Sequence, residues 1–306
     1  MSETLHASSD VMSDDDMVLV PAGTFLMGSD DHYPEERPVR PAQVGAFWMD
    51  RTPVTNAQFA RFVDETGHVT FAEVAPDPRD YPGMDPALAV PGSIVFVPPR
   101  QKTSLSQRAT WWQIVAGADW RHPDGPGSSI DAIMDHPVVH VGYTDALAYA
   151  AWAGKQLPTE AEWERAARGG LEGAAYAWGE VFRPKGKRMA KTWEGTFPHA
   201  NAAPKGLERT APVCSYPANG FGLYDMIGNV WEWTDELSRA GGAGGCCAGT
   251  AATPATGTEE RVLKGGSHMC APEYCQRYRP AARWLQPIDT TTSHVGFRCI
   301  RRLPEN

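Results

Sequence analysis

The chain has 306 residues, 42% hydrophobic and 21% charged, an ordinary globular composition that excludes a disordered polymer, a coiled coil and a collagen-like fibre. Lys and Arg number 28 against 37 Asp and Glu, and the resulting net charge of −9 argues against a nucleic-acid footprint. No apolar run approaches the ~20 residues of a membrane span, and the abundance of Gly (30), Pro (26) and Trp (11) predicts a loop-rich fold anchored by large aromatic side chains.

Residues 1–16 read as an acidic, solvated tail, with Glu3, Asp10, Asp14, Asp15 and Asp16 and neither a basic nor an apolar region of a secretory signal. Short alternating stretches predict strands at Val18–Val20, Phe25–Met27, Val44–Met49, Ile94–Val97 and Val138–Val141. Three helices stand out. The first spans Thr55 to Glu65, with Thr55 as N-cap, Phe59, Phe62 and Val63 as its apolar stripe and Gly67 past its end. The second spans Thr144 to Ala153, with Thr144 as cap and Leu147, Ala151 and Trp152 facing inward. The third opens on a capping box of Thr159 and Glu162, buries Trp163, Ala166 and Ala167, and stops at Gly169–Gly170. Residues 239–258 are almost entirely Gly, Ala, Thr and Cys, a low-complexity surface loop expected to be mobile. With no internal repeat and no linker, the chain reads as one α+β domain over residues 17–302, with a short tail at 303–306.

Six cysteines in a chain of this length are not a disulfide framework, so a reducing, cytoplasmic compartment is the simplest expectation. Cys214 is expected to be buried, and the adjacent Cys246 and Cys247 to be incidental exposed thiols. Cys270 and Cys275 are different. They lie five residues apart, followed by Arg277, Arg279 and Arg283, whose charge favours thiolate. The spacing allows a reversible disulfide. Zinc would need four ligands, and no second knuckle is present. Two thiolates alone suit Cu(I), and inert buried thiols remain a fourth reading. His136-x3-His140 could be a metal pair, but Pro137 opposes a helix and no acid follows at Gly142, so a Pro-led core strand is expected there.

The run Gly265-Gly266-Ser267-x-x-Cys270-x4-Cys275-x-Arg277-Tyr278-Arg279-x-Ala281-Ala282-Arg283, closing in Gly296-Phe297-Arg298-Cys299, resembles the formylglycine-generating enzymes of the sulfatase-modifying factor family. Upstream segments extend the resemblance over residues 17–302. They include Pro21 to Ser29, Pro53 to Asn56, His136 to Val141, Leu157 to Glu164, Ala177 to Gly179 and Gly228 to Trp233. The resemblance implies a single α+β domain of the formylglycine-generating-enzyme fold, related to C-type lectin-like domains and poor in regular structure. It implies a copper-dependent oxidase that uses O2 to convert the cysteine of a Cys-x-Pro-x-Arg segment, in an unfolded or nascent sulfatase, to Cα-formylglycine. Cys270 and Cys275 would hold Cu(I), with Ser267, Tyr274 and Trp231 flanking it as catalytic residues. Ser267, Arg283 and His294 would contact the peptide, His294 standing where animal relatives carry Asn. The partners of the disulfides of secreted relatives correspond to Ala150, Ala167 and Pro280, so Cys299 should be free. A monomer is expected.

The resemblance also implies Ca2+. One family site corresponds to Lys191, Thr192, Lys205 and Leu207, where two lysines replace oxygen ligands, so that site is expected to be lost. The other corresponds to the carboxylates of Asp225 and Glu232 with the carbonyls of Gly228 and Val230, and is expected to be kept. Two rival readings are a silent paralogue that only binds sulfatase chains, against which the paired cysteines count, and a thiol–disulfide exchanger, whose pair is usually C-x-x-C at a helix N-terminus.

Overall fold

The computed structural model describes residues 16–107, 111–237 and 259–304. Most of the predicted tail 1–16 and the whole of residues 239–258, with Cys246 and Cys247, lie outside the described residues.

Along the described residues four short strands precede the first α-helix, two more separate it from a consecutive pair of α-helices, and seven follow. Strand β1 (Met17–Val20) pairs antiparallel with β4 (Phe47–Asp50), which pairs on its other side with the C-terminal β13 (Ile300–Arg302). Between them, β2 (Gly23–Met27) and β3 (Arg40–Val44) form a hairpin. The predicted strand Val44–Met49 is thus two strands, because the chain turns at Gly45–Ala46. A second hairpin joins β5 (Gly92–Phe96) to β6 (Trp112–Ala116), and a two-residue pair follows, β7 (Gly195–Thr196) with β8 (Ala200–Asn201). The largest sheet has the order β11-β10-β9-β12. Its members are β9 (Trp231–Leu237), β10 (Glu260–Lys264), β11 (Arg283–Pro287) and β12 (Val295–Gly296), antiparallel except for β12, which lies parallel to β9.

Helix α1 (Asn56–Thr66) has the expected Thr55 cap, and Gly67 ends it in the left-handed conformation. Helix α3 (Glu160–Arg168) has the Thr159–Glu162 capping box and buries Trp163, Ala166 and Ala167. Helix α2 (Tyr143–Trp152) corrects the expectation. Its N-cap is Gly142, whose backbone N–H is held by Asp145 Oδ2 at 2.8 Å, while Thr144 is exposed in the first turn. The inward face is Tyr143, Ala146, Tyr149 and Ala150; Leu147 and Ala151 face solvent. Val138–Val141 is not a strand. His140 sits at φ 62°, which breaks the extended chain, yet Val138 and Val141 are fully buried.

The core has two main clusters and an aromatic satellite. One cluster gathers α1, α2 and the inner face of the largest sheet around Phe59, Trp120, Trp233 and Phe297. The second packs α3 against β2, β4 and the segment that carries Cys270 and Cys275. The satellite consists of Phe96, Trp111, Trp112, Trp193, Phe197, Met269 and Ala271, with Tyr274 packed on it. The thiols therefore lie at the seam between a helix-backed core and an aromatic cluster. Among the described residues no helix is long and apolar enough to cross a membrane.

Candidate active site: a buried thiol pair

Strand β10 delivers the chain to Gly265 and Gly266, at φ 92° and 72°. A side chain at Gly266 would put its Cβ 2.6 Å from the Arg277 carbonyl oxygen, so this close approach needs glycine. Two tight turns follow. The Cys270 N–H donates to the Ser267 carbonyl at 3.0 Å, and the Cys275 N–H to the Ala271 carbonyl at 2.8 Å. These turns bring two thiols that are five residues apart to a Sγ–Sγ distance of 3.2 Å. That is far beyond a disulfide bond, so the two cysteines are not bonded to each other, and both are buried.

Polar groups address both sulfurs. The Ser267 N–H points at Cys270 Sγ from 3.5 Å, and Arg277 Nη1 at Cys275 Sγ from 4.0 Å. Burial opposes the Arg277 charge, but its hydrogen bonds to Glu35 and the neighbouring Cys275 thiol push its pKa above the usual guanidinium value. Among the described residues no group of three or more His, Cys, Asp or Glu side chains could hold a metal ion, so the pair has no third protein ligand of those kinds. The donor set is two convergent soft sulfurs. It does not fit zinc and it fits Cu(I).

A cavity of about 20 Å³ lies against the thiols, room for roughly one water-sized molecule. Its wall is Trp112, Trp231, Ser267, Met269, Tyr274, Trp284 and His294. The structure thus brings together the expected Cys270, Cys275, Ser267, Tyr274, Trp231 and His294. Tyr274 stacks on Phe197 at 4.3 Å, and the His294 ring lies 4.9 Å from that of Trp112, with Nδ1 at Thr292 Oγ1. Arg283 is not in the wall. It forms an ion pair with Glu160 through two contacts of 2.8 and 3.1 Å. Sequence reading misses Trp112, Met269 and Trp284; the Trp111–Trp112 doublet is the one local signal.

The other candidates separate cleanly. His140 is fully buried between Ser93 Oγ and the Pro123 carbonyl, and burial pushes its pKa down to about 3. His136 bonds Thr210. Both are structural, as expected, although not on a strand. Cys214 is exposed, which corrects the expectation, and burial of part of its thiol pushes the pKa up to about 11. Cys299 is free and buried, with its pKa far above the ordinary thiol value for the same cause.

At the first calcium position, Lys191 Nζ donates to the Leu207 carbonyl at 2.5 Å, so an ammonium occupies that oxygen and the residues do not fit Ca2+. At the second, Asp225 is buried and its Oδ1 has no hydrogen-bond partner, which fits a hard cation. Glu232 contributes less. Arg298 holds both of its carboxylate oxygens and the Trp163 indole N–H adds a second bond to Oε2, so only Oε1, with a single donor, could also serve a cation.

The sulfatase-modifying factor enzyme 1-like domain model matches residues 2–303. The chain belongs to this family. It is 53% identical over 296 residues to the formylglycine-generating enzyme of Mycobacterium tuberculosis, covering 93% of this chain and 97% of that one. It is 46% identical over 290 residues to the formylglycine-generating enzyme of Thermomonospora curvata, covering 92% of each. The fold is shared with PvdO from Pseudomonas aeruginosa, at a TM-score of 0.58 and 26% identity over 94% of both chains.

Proposed function

We propose that this protein is a copper-dependent oxidase that uses O2 to convert the cysteine of a Cys-x-Pro-x-Arg segment in an unfolded sulfatase to Cα-formylglycine. The observation that carries this reading is the convergence of Cys270 and Cys275 at 3.2 Å beside a small aromatic-walled cavity. Family membership supports the reaction class. Cys270 and Cys275 would hold Cu(I), which when bound supplies the one-electron chemistry with dioxygen that no side chain offers.

The chain's own residues do the rest. The Ser267 N–H addresses Cys270 Sγ and Arg277 Nη1 addresses Cys275 Sγ, so each sulfur has one polar neighbour that fixes its position. Trp112, Trp231 and Trp284 give the cavity a largely aromatic wall, to which Tyr274, Ser267 and His294 add polar groups. The CH2–SH group of the peptide would enter this cavity and give up two electrons and two protons to O2, and water would then add to the oxidised carbon and expel the sulfur as H2S to leave the aldehyde. A folded sulfatase would bury the segment, so the substrate is an extended chain. Among the described residues no cysteine is in a disulfide, which supports a reducing, cytoplasmic setting; we take the enzyme to be a monomer. A single Ca2+ at Asp225, Gly228, Val230 and Glu232 would stiffen the loop before Trp231.

The test is mass spectrometry of a Cys-x-Pro-x-Arg peptide incubated with the protein, Cu(I) and O2. The proposal expects the mass loss of a CH2SH side chain becoming CHO. A peptide of unchanged mass, or one converted equally well in the presence of a strong Cu(I) chelator, overturns it.

A further inference from the structure

A segment far upstream in sequence closes over the thiol motif. Residues Tyr33 to Glu36 form one short turn that lies against residues 275–284. Two neighbouring acids on this turn hold two neighbouring arginines of the motif, and the two pairs differ in kind. Glu36 and Arg279 are both almost fully buried and joined through both guanidinium Nη nitrogens, a rivet that holds the turn in place. Glu35 and Arg277 are partly open to solvent.

The second pair faces the site. Glu35 takes the Nε and Nη2 edge of Arg277, which leaves Nη1 directed at Cys275 Sγ, 4.0 Å away. Two aromatic rings lie against the guanidinium, Tyr33 at 3.8 Å and Trp284 at 4.7 Å from its carbon. Trp284 is itself a wall of the cavity. The Tyr33 hydroxyl accepts from the Gln276 N–H at 3.1 Å and so fixes its own ring. A free arginine side chain samples many rotamers, and its planar fork is held only where several partners agree. Here Glu35, Tyr33, Trp284 and Cys275 agree on one orientation.

We propose that Tyr33 and Glu35 are positioning residues for the thiol pair. They aim Arg277 at Cys275 and seat Trp284, so that a fixed cation balances the negative charge which two thiolates retain around a soft monovalent metal. This deepens the function proposed above and rests on it for the identity of the metal. Glu35 also carries a negative charge, but it lies on the far edge of the guanidinium, so at the sulfur its anchoring effect outweighs its charge.

The test compares wild type with Glu35→Ala, Tyr33→Ala and Glu35→Gln, all of which keep the Glu36–Arg279 rivet. Affinity for Cu(I) is measured by competition with a chromogenic chelator. In parallel, the metal-free proteins are alkylated with iodoacetamide at one pH and the rate at Cys275 is read by peptide mapping. Glu35→Ala and Tyr33→Ala should each weaken Cu(I) binding about tenfold and slow alkylation of Cys275 several-fold, while Glu35→Gln, which keeps an oxygen acceptor, should stay within about twofold of wild type. Wild-type affinity and alkylation rate in both the Glu35→Ala and Tyr33→Ala proteins overturn the proposal, even if their melting temperatures fall. If wild type binds no Cu(I), the copper reading fails by itself, and the alkylation rates still decide the positioning role.

Discussion

Arg298 grips Glu232 with two parallel hydrogen bonds of 2.8 Å, Nε to Oε2 and Nη2 to Oε1, and both side chains are fully buried. The same guanidinium donates to the carbonyls of Asp50, Arg51 and Tyr224. One side chain thus ties the C-terminal segment to β9 next to Trp231 and to the end of β4. Removing one partner of a buried pair strands a charge, which costs about 3–5 kcal/mol. Arg298→Met should lower the unfolding free energy by that amount in urea titrations. A loss under about 1 kcal/mol would mean the pair is solvated in solution.

Replacing either Cys270 or Cys275 with alanine should abolish peptide conversion, because each supplies half of the only convergent thiol pair among the described residues. Cys214→Ala should retain near-wild-type turnover, since that thiol is exposed and has its pKa pushed up to about 11. Turnover assays of the three variants, with their thermal melts as folding controls, decide this. Full activity in Cys275→Ala removes the two-thiolate site.

Added Ca2+ should raise the melting temperature of wild type by a few degrees and leave that of Asp225→Ala unchanged. The motive is the buried Asp225 Oδ1, which lacks a hydrogen-bond partner. Asp225→Ala should also slow turnover, because its loop runs directly into Trp231. Equal shifts in both proteins would place the ion elsewhere.

Acid should destabilise the fold from about pH 6.5 downward. His140 titrates at 6.5 when unfolded and at about 3 in the fold, chiefly because it is buried, with Pro123 and nearby charges as smaller influences. Below 6.5 the unfolded chain takes up a proton that the folded chain refuses until about pH 3, so stability falls by about 1.4 kcal/mol per pH unit inside that window and is unaffected above it. The lowered pKa values of His136 and His268, also caused first by burial, add to the slope. Unfolding free energies at pH 7.5 and 5.5 test this. His140→Gln should show a smaller drop between the two, and an identical drop counts against the assignment.

What the sequence revealed follows from how local each signal is. Helices α1 and α3 are legible because their caps lie within four residues of the elements they start. Helix α2 is misjudged because its sequence, rich in alanine, has no contrasting stripe, and because Asp145 reaches back to cap Gly142. Val138–Val141 has strand composition, but a single positive φ at His140 overrides it. The thiol pair is legible from its spacing and its following arginines. Trp112, Trp284, Tyr33 and Glu35 are not, because each meets the thiol motif through contacts made only when distant parts of the chain fold together.

Trp231 and His294 stand on neighbouring parallel strand ends, and the Trp231 N–H donates to the His294 carbonyl at 2.9 Å. Beyond them, a Cβ at Gly296 would lie 2.5 Å from the Val138 carbonyl oxygen, so this edge is packed without slack. Two lining residues of the cavity therefore share one backbone ladder and cannot move apart independently. Their ordering entropy is lost when the chain folds and not when a guest arrives. Such a cleft behaves as a fixed gauge. It should reject side chains wider than cysteine by steric exclusion, and a peptide presenting serine in place of cysteine should enter without resistance and leave unchanged.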